Sequence, residues 1–224
     1  MMKKELWYKY DFSYQSDSLL VGFGSAEMFD KDNNKKFEWN NYFKFKLSHL
    51  NFNRLFVADV NNSWYHTRYY GLNGDGPHVL KNFLNEKIEE CGATKTLYLG
   101  TSMGGYGAIL LGCLTNATQV MAFSPQTWLT PGRYKKASLL KKFSTCDVDY
   151  NLTDLKKVLE ETPSSTIYKI WYGEDNSNDA LMAKRISNIN NVILKPVPTS
   201  VHGSFKLPIR SGEVRTEIEK FLYK

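Results

Sequence analysis

Residues 96–114 read Thr96-Leu97-Tyr98-Leu99-Gly100-Thr101-Ser102-Met103-Gly104-Gly105-Tyr106-Gly107-Ala108-Ile109-Leu110-Leu111-Gly112-Cys113-Leu114. An apolar run of strand length passes through Gly-x-Ser-x-Gly into an apolar run of helix length. The spacing has a steric cause. A serine held on a sharp turn between a strand and a helix needs neighbours two residues away on either side that lack a Cβ, because strand and helix approach each other there. Gly100 and Gly104 supply that room. The turn leaves Ser102 at the positive end of a helix, with the Met103 N–H aimed where an oxyanion would develop. With 15 glycines in 224 residues, chance supplies about 0.08 such matches. A phosphate-cradling loop is excluded, since Tyr106 stands where that motif needs lysine.

Outward from this stretch the chain alternates strand-like and helix-like segments. The strand-like runs are Leu6 to Phe12, Leu19 to Gly24, Leu55 to Val60, Thr96 to Gly100, Gln119 to Ser124, Thr166 to Tyr172 and Val192 to Val197. Most are continuously apolar, as strands buried on both faces should be. Helical patterns fall at Asn41 to Leu50, Pro77 to Cys91, Gly104 to Leu114, Asp154 to Glu161, Asp179 to Ile189 and Glu213 to Tyr223. The alternation predicts an α/β fold, a mostly parallel sheet covered on both sides, in one domain spanning residues 1–224. Only a polar turn separates the first two runs, which predicts an antiparallel N-terminal hairpin at the sheet edge. In such sheets chemistry gathers beyond the carboxyl ends of the strands.

Composition narrows the function. The formal net charge is +6, but the lysines fall in scattered doublets such as Lys35-Lys36, Lys135-Lys136 and Lys156-Lys157, with no basic stripe for nucleic acid. No apolar run approaches the ~20 residues of a spanning helix, so no membrane insertion is expected. The N-terminal residues lack the pattern of a secretory signal, which predicts a cytoplasmic protein. Cys91, Cys113 and Cys146 have no C-x-x-C spacing and read as small buried hydrophobes. No metal-ligand spacing and no dinucleotide fingerprint occurs, so no resident cofactor or metal is expected.

A serine hydroxyl needs a base, and the chain has four histidines, at 49, 66, 78 and 202. Only His202, in Pro198-Thr199-Ser200-Val201-His202-Gly203, lies C-terminal to the serine in a loop after a strand. The acid that orients it should follow the preceding strand. Gly173-Glu174-Asp175-Asn176-Ser177-Asn178-Asp179 offers Asp175, close to the strand end, and Asp179, which could equally be a helix N-cap. Spacing leaves both open. A second oxyanion donor is expected from the Gly24-Ser25 junction after an early strand. The segment Asp59 to Gly71, followed by Asn73-Gly74-Asp75-Gly76-Pro77, is rich in aromatics at Trp64, Tyr65, Tyr69 and Tyr70, which suits either stacking on a sugar ring or core packing around a long loop.

With these residues in place, the chain resembles the α/β-hydrolase superfamily through Gly100-Thr101-Ser102-Met103-Gly104 and the order serine, acid, histidine. Ser102-Met103-Gly104-Gly105-Tyr106-Gly107-Ala108, Ala122-Phe123-Ser124-Pro125-Gln126 and Asn62-Ser63-Trp64-Tyr65 look more narrowly like small members of bacterial polysaccharide and glycan-modifying systems. Some of those are serine esterases or O-acetyltransferases. In such relatives the acid precedes an alanine-containing helix, as in Asp179-Ala180-Leu181-Met182-Ala183, and the resemblance therefore favours Asp179 over Asp175. At 224 residues the chain is short for that superfamily, which predicts a small or absent lid from length alone. The resemblance implies an ester hydrolase with a Ser102, His202, Asp179 triad and an acyl-enzyme. O-acetyl transfer to a surface glycan, with acetyl-CoA as donor substrate, is the first alternative. A non-catalytic glycan-binding or scaffold protein is the second.

Overall fold

The computed structural model describes residues 7–12, 15–26, 37–66, 68–74, 76–129 and 148–223. Seven strands form one sheet: β1 (Tyr8–Asp11), β2 (Ser18–Phe23), β3 (Asn53–Val57), β4 (Lys95–Thr101), β5 (Gln119–Phe123), β6 (Ile167–Gly173) and β7 (Val192–Val197). Their spatial order is β1-β3-β2-β4-β5-β6-β7. Every pairing is parallel except that of β1 with β3. Among the described residues the α-helices that accompany them are α1 (Asn40–Lys46), α2 (Gly76–Glu90), α3 (Met103–Leu114), α4 (Leu155–Glu161), α5 (Ser177–Lys184), α6 (Lys206–Arg210) and α7 (Glu213–Leu222).

The expected N-terminal hairpin is not formed. β1 pairs antiparallel with β3, Tyr10 opposite Leu55, while β2 lies inside the sheet between β3 and β4. Burial explains the exchange. All six residues of Ser18–Phe23 are buried, which only an interior strand can satisfy, whereas β1 exposes Lys9 and Tyr10 and suits an edge.

Alternation along the central strands divides the core in two. Leu19, Val21, Phe23 and Tyr98 face one side, packed with Leu80 and Leu84 of α2, most of α3, Leu155 and Val158 of α4, and Ala183 of α5. Leu20, Leu97 and Leu99 face the other, against Phe43 of α1 and Val214, Ile218 and Phe221 of α7. The last three fall at helical spacing, so α7 buries one stripe. Helix α3 is buried almost throughout, as its unbroken apolar sequence requires. This fixed α3 is what anchors the turn at Ser102.

Cys113 is buried and Cys91 half-buried, both as free thiols whose pKa burial pushes up; Cys146 lies outside the described residues. No helix among the described residues is long and apolar enough to cross a membrane.

Candidate active site

Ser102 stands between the end of β4 and the start of α3 with φ 53° and ψ −114°, a left-handed conformation that costs a residue with a Cβ about 1–3 kcal/mol. Its N–H donates to the Phe123 carbonyl (2.8 Å) and its carbonyl accepts from Tyr106 N–H (3.0 Å), so both sides of the turn are pinned. The two flanking glycines are sterically required. A Cβ on Gly100 would overlap the Gly104 carbonyl, and one on Gly104 would overlap the Phe23 carbonyl of β2. Each obstacle is backbone and cannot rotate away. Gly100→Ala and Gly104→Ala are each expected to cost more than about 3 kcal/mol, read as a thermal midpoint lowered well below the parent's. An unchanged midpoint would contradict this packing.

Three of the residues singled out in the sequence converge here. His202 Nε2 lies 2.9 Å from Ser102 Oγ, and His202 Nδ1 lies 2.6 Å from Asp179 Oδ1. Asp179 is 2% exposed while the imidazole is 46% exposed, so the carboxylate is sealed and the ring is reachable from solvent. The Asp179 contact is the largest influence on His202 and raises its pKa above the ordinary 6.5, against partial desolvation. Asp179 Oδ2 has no hydrogen-bond partner among the described residues. A buried carboxylate satisfied on one oxygen only favours a proton on its neighbour.

Asp175, the other candidate acid, is exposed on the turn after β6. Nor is Asp179 the N-cap of its helix. Asn176 holds that role, its Oδ1 accepting from Asn178 N–H (3.2 Å) and Asp179 N–H (3.0 Å). The same side chain donates through Nδ2 to the Ser200 carbonyl (2.9 Å), which ties the acid's helix to the histidine's loop. Ser124, just past β5 and at φ 46°, anchors that loop from below: its hydroxyl accepts from Gly203 N–H (3.2 Å) and Ser204 N–H (3.0 Å). Neither Asn176 nor Ser124 carries a sequence signal beyond its place at a strand's carboxyl end.

The oxyanion donors divide. No hydrogen bond is made by Met103 N–H among the described residues, as befits the first turn of a helix. Gly24 N–H instead completes the sheet, donating to the Val57 carbonyl (2.9 Å), so it is not a free donor. Ser25 N–H donates to Glu38 Oε2 (3.0 Å) and is available only if that carboxylate moves. Local sequence gives the position of these groups and not the partner of each N–H.

The aromatic stretch splits between core and site. Tyr65, His66 and Tyr69 are buried, which settles packing for those three, while Tyr70 is exposed. Tyr65 donates to the Gly24 carbonyl (2.7 Å). His66 Nε2 meets Tyr106 Oη (2.7 Å), which itself donates to the Leu152 carbonyl (2.6 Å), and burial lowers the His66 pKa to about 4. His66 is therefore a neutral core residue. His49 and His78 sit on the surface beside Glu219 and Asp149. Trp64, at φ 53°, turns its indole toward the site and donates to Gln126 Oε1 (3.1 Å), and Gln126 Nε2 donates to Ser102 Oγ (2.9 Å).

Among the described residues no three His, Cys, Asp or Glu side chains cluster as a metal site. A cavity of about 520 Å³ lies at the opposite end of the sheet, where Thr162 to Ser165 and Asn188 to Asn191 lead into β6 and β7. It touches none of the residues around Ser102.

No family model matches the chain, and no curated protein matches it by sequence. Solved structures do. A capsule O-acetyltransferase of Neisseria meningitidis serogroup A superimposes with TM-score 0.71 at 19% identity, over 95% of this chain and 90% of that one. A thermophilic esterase of Thermogutta terrifontis gives TM-score 0.61 at 12% identity, over 93% and 86%. A lipase-esterase related protein of Clostridium acetobutylicum gives 0.58 at 16%, over 97% and 99%. The chain has the α/β-hydrolase fold. Within this fold Ser102 sits on the turn between β4 and α3, and Asp179 and His202 follow it in that order along the chain.

Proposed function

We propose that the protein is a serine-dependent acyl-transfer enzyme, acting first as a carboxylic ester hydrolase. The observation that carries this reading is the continuous path from Asp179 Oδ1 through His202 to Ser102 Oγ, at 2.6 and 2.9 Å, ending on a strained turn at a helix N-terminus. Nδ1 facing a carboxylate must carry the ring proton, which leaves Nε2 as the lone pair that takes the serine's proton. Ser102 Oγ adds to the ester carbonyl as that proton moves to His202, and the oxyanion meets the Met103 N–H. The alcohol then leaves with the proton, and an acyl group remains on Oγ. In the second half, an acceptor gives its proton to His202 and adds to the acyl carbon, and Oγ departs and regains a proton.

Water as acceptor makes an esterase; a sugar hydroxyl makes an O-acyltransferase. Hydrolysis stands first because water needs no built acceptor site. The transferase reading is favoured by likeness to the capsule O-acetyltransferase, of which one mutant structure is in complex with CoA. Acetyl-CoA, as donor substrate rather than resident cofactor, is thus the thioester to try. The aromatic Trp64 and Tyr70 near the strands' carboxyl ends suit a glycan partner.

A fluorophosphonate probe tests the reading. The expected result is one adduct per chain, on the peptide bearing Ser102. A folded sample that takes no adduct overturns the enzyme reading and leaves a non-catalytic glycan-binding protein. Release of p-nitrophenol from p-nitrophenyl acetate in buffer alone assigns an esterase, and release that requires an added glycan assigns a transferase.

A further inference from the structure

Among the described residues Ser102 Oγ has two hydrogen-bond neighbours, and the proposed triad accounts for one. The other is Gln126, three residues past β5, whose Nε2 lies 2.9 Å from Oγ. Which end of the carboxamide faces the serine is fixed by chemistry. An indole N–H can only donate, so the Gln126 atom facing Trp64 Nε1 at 3.1 Å must be the carbonyl oxygen, and the atom facing Ser102 must be the amino group. The serine's proton is directed to His202 Nε2, so Oγ accepts from Gln126 with one lone pair and keeps the other for attack.

Trp64 in turn is held by the backbone. Trp64 and Tyr65 both have positive φ, 53° and 66°. The buried Asp59 carboxylate locks that bend by accepting from Ser63 N–H (2.6 Å) and Tyr65 N–H (3.0 Å). Strain of this kind persists where the surroundings over-determine it, and here its effect is to aim an indole N–H across the site. Gln126 is only half-buried, so its amino group borders the space an acyl group enters.

We infer that Gln126 is a catalytic residue for Ser102, donating to Oγ, and that Trp64 is the positioning residue that keeps its amino end turned to the serine. The inference rests on the acyl-transfer reading above. A donor on Oγ acts twice. It stabilises the negative charge that gathers there as the proton departs to His202, and again when Oγ leaves the second tetrahedral species. Both barriers fall, and binding of the ester is untouched.

The test is a double-mutant cycle on the full chain, read by second-order labelling with a fluorophosphonate and by the acylation and deacylation rates with p-nitrophenyl acetate. Gln126→Leu keeps volume and removes the donor, and is expected to slow labelling and both steps by about 10- to 100-fold, the size of a hydrogen bond to a charged group, with KM unchanged. Trp64→Phe keeps the ring and frees the carboxamide to flip, so it slows the reaction alone but adds nothing in the Gln126→Leu background. Gln126→Glu, nearly isosteric, places an acceptor against Oγ that competes with His202 for its proton, and is expected to be slower than Gln126→Leu; it carries the test if the leucine variant does not fold. A loss smaller than fivefold in Gln126→Leu, or effects of the two sites that multiply, overturns the proposal. The adduct on Ser102 is read separately by mass spectrometry, so loss of the nucleophile assignment is distinguished from loss of the role of Gln126.

Discussion

Ser102→Ala is expected to lower kcat with p-nitrophenyl acetate by about 10⁶, the loss typical of removing the nucleophile from a serine triad, and to abolish phosphonate labelling. Fold should survive, because the side chain contributes no buried apolar surface and the backbone bonds to Phe123 and Tyr106 remain. Alanine also tolerates the positive φ no worse than serine does. The informative companion is His202→Ala in the Ser102→Ala background. If the two act as one unit, the double variant is no slower than either single one. Multiplying losses would mean that His202 serves something other than the Ser102 hydroxyl.

Asp179→Asn is expected to reduce kcat by about 10⁴, while Asp175→Asn leaves it unchanged. The amide can donate to His202 Nδ1, which then becomes the lone pair and turns a protonated Nε2 toward Ser102, the wrong tautomer for a base. The pH profile carries a second signature. The base must be neutral to act, and the Asp179 contact raises the His202 pKa, so kcat/KM should climb with pH through a midpoint above 6.5. In Asp179→Asn that support is gone and the residual activity should climb at lower pH than in the parent. A midpoint that does not move, or a large loss in Asp175→Asn, would assign the acid differently.

The serine turn was legible because its signature is steric. Gly100 and Gly104 are glycines because strand and helix approach closely here, the Gly104 carbonyl standing against Gly100 and the Phe23 carbonyl against Gly104. Strand content was legible on the same terms, since two-faced burial leaves apolar runs. Strand neighbours were not. A polar turn between β1 and β2 suggests a hairpin, yet pairing is decided by which strand needs covering on both sides, and that sums over the whole sheet. The contrast between the charged Lys9 and Asp11 of β1 and the continuously apolar Leu19–Phe23 of β2 was the available clue.

At the site, His202 stood out by its position after the last strand, but no count of residues could separate Asp175 from Asp179. What separates them is Asn176, which caps the helix and so turns the next acid inward. The N–H groups of Gly24 and Ser25 have other partners, because a backbone donor's engagement depends on Val57 and Glu38, residues that the local sequence does not contain. Gln126 escaped notice for a different reason. A carboxamide does not titrate, and its value here comes from an indole 62 residues away that decides which end it presents.

On the proposed acyl-transfer reading, the separation of 100 residues between Ser102 and His202, bridged by the tether from Ser124 to Gly203 and Ser204, implies an order of events during biosynthesis. A nascent chain can complete the turn at Ser102 once β4, β5 and α3 have emerged, yet it stays chemically silent until β6 and β7 have docked and the final loop has closed over the sheet. Reactivity thus arrives last, and partly made copies carry no unguarded nucleophile.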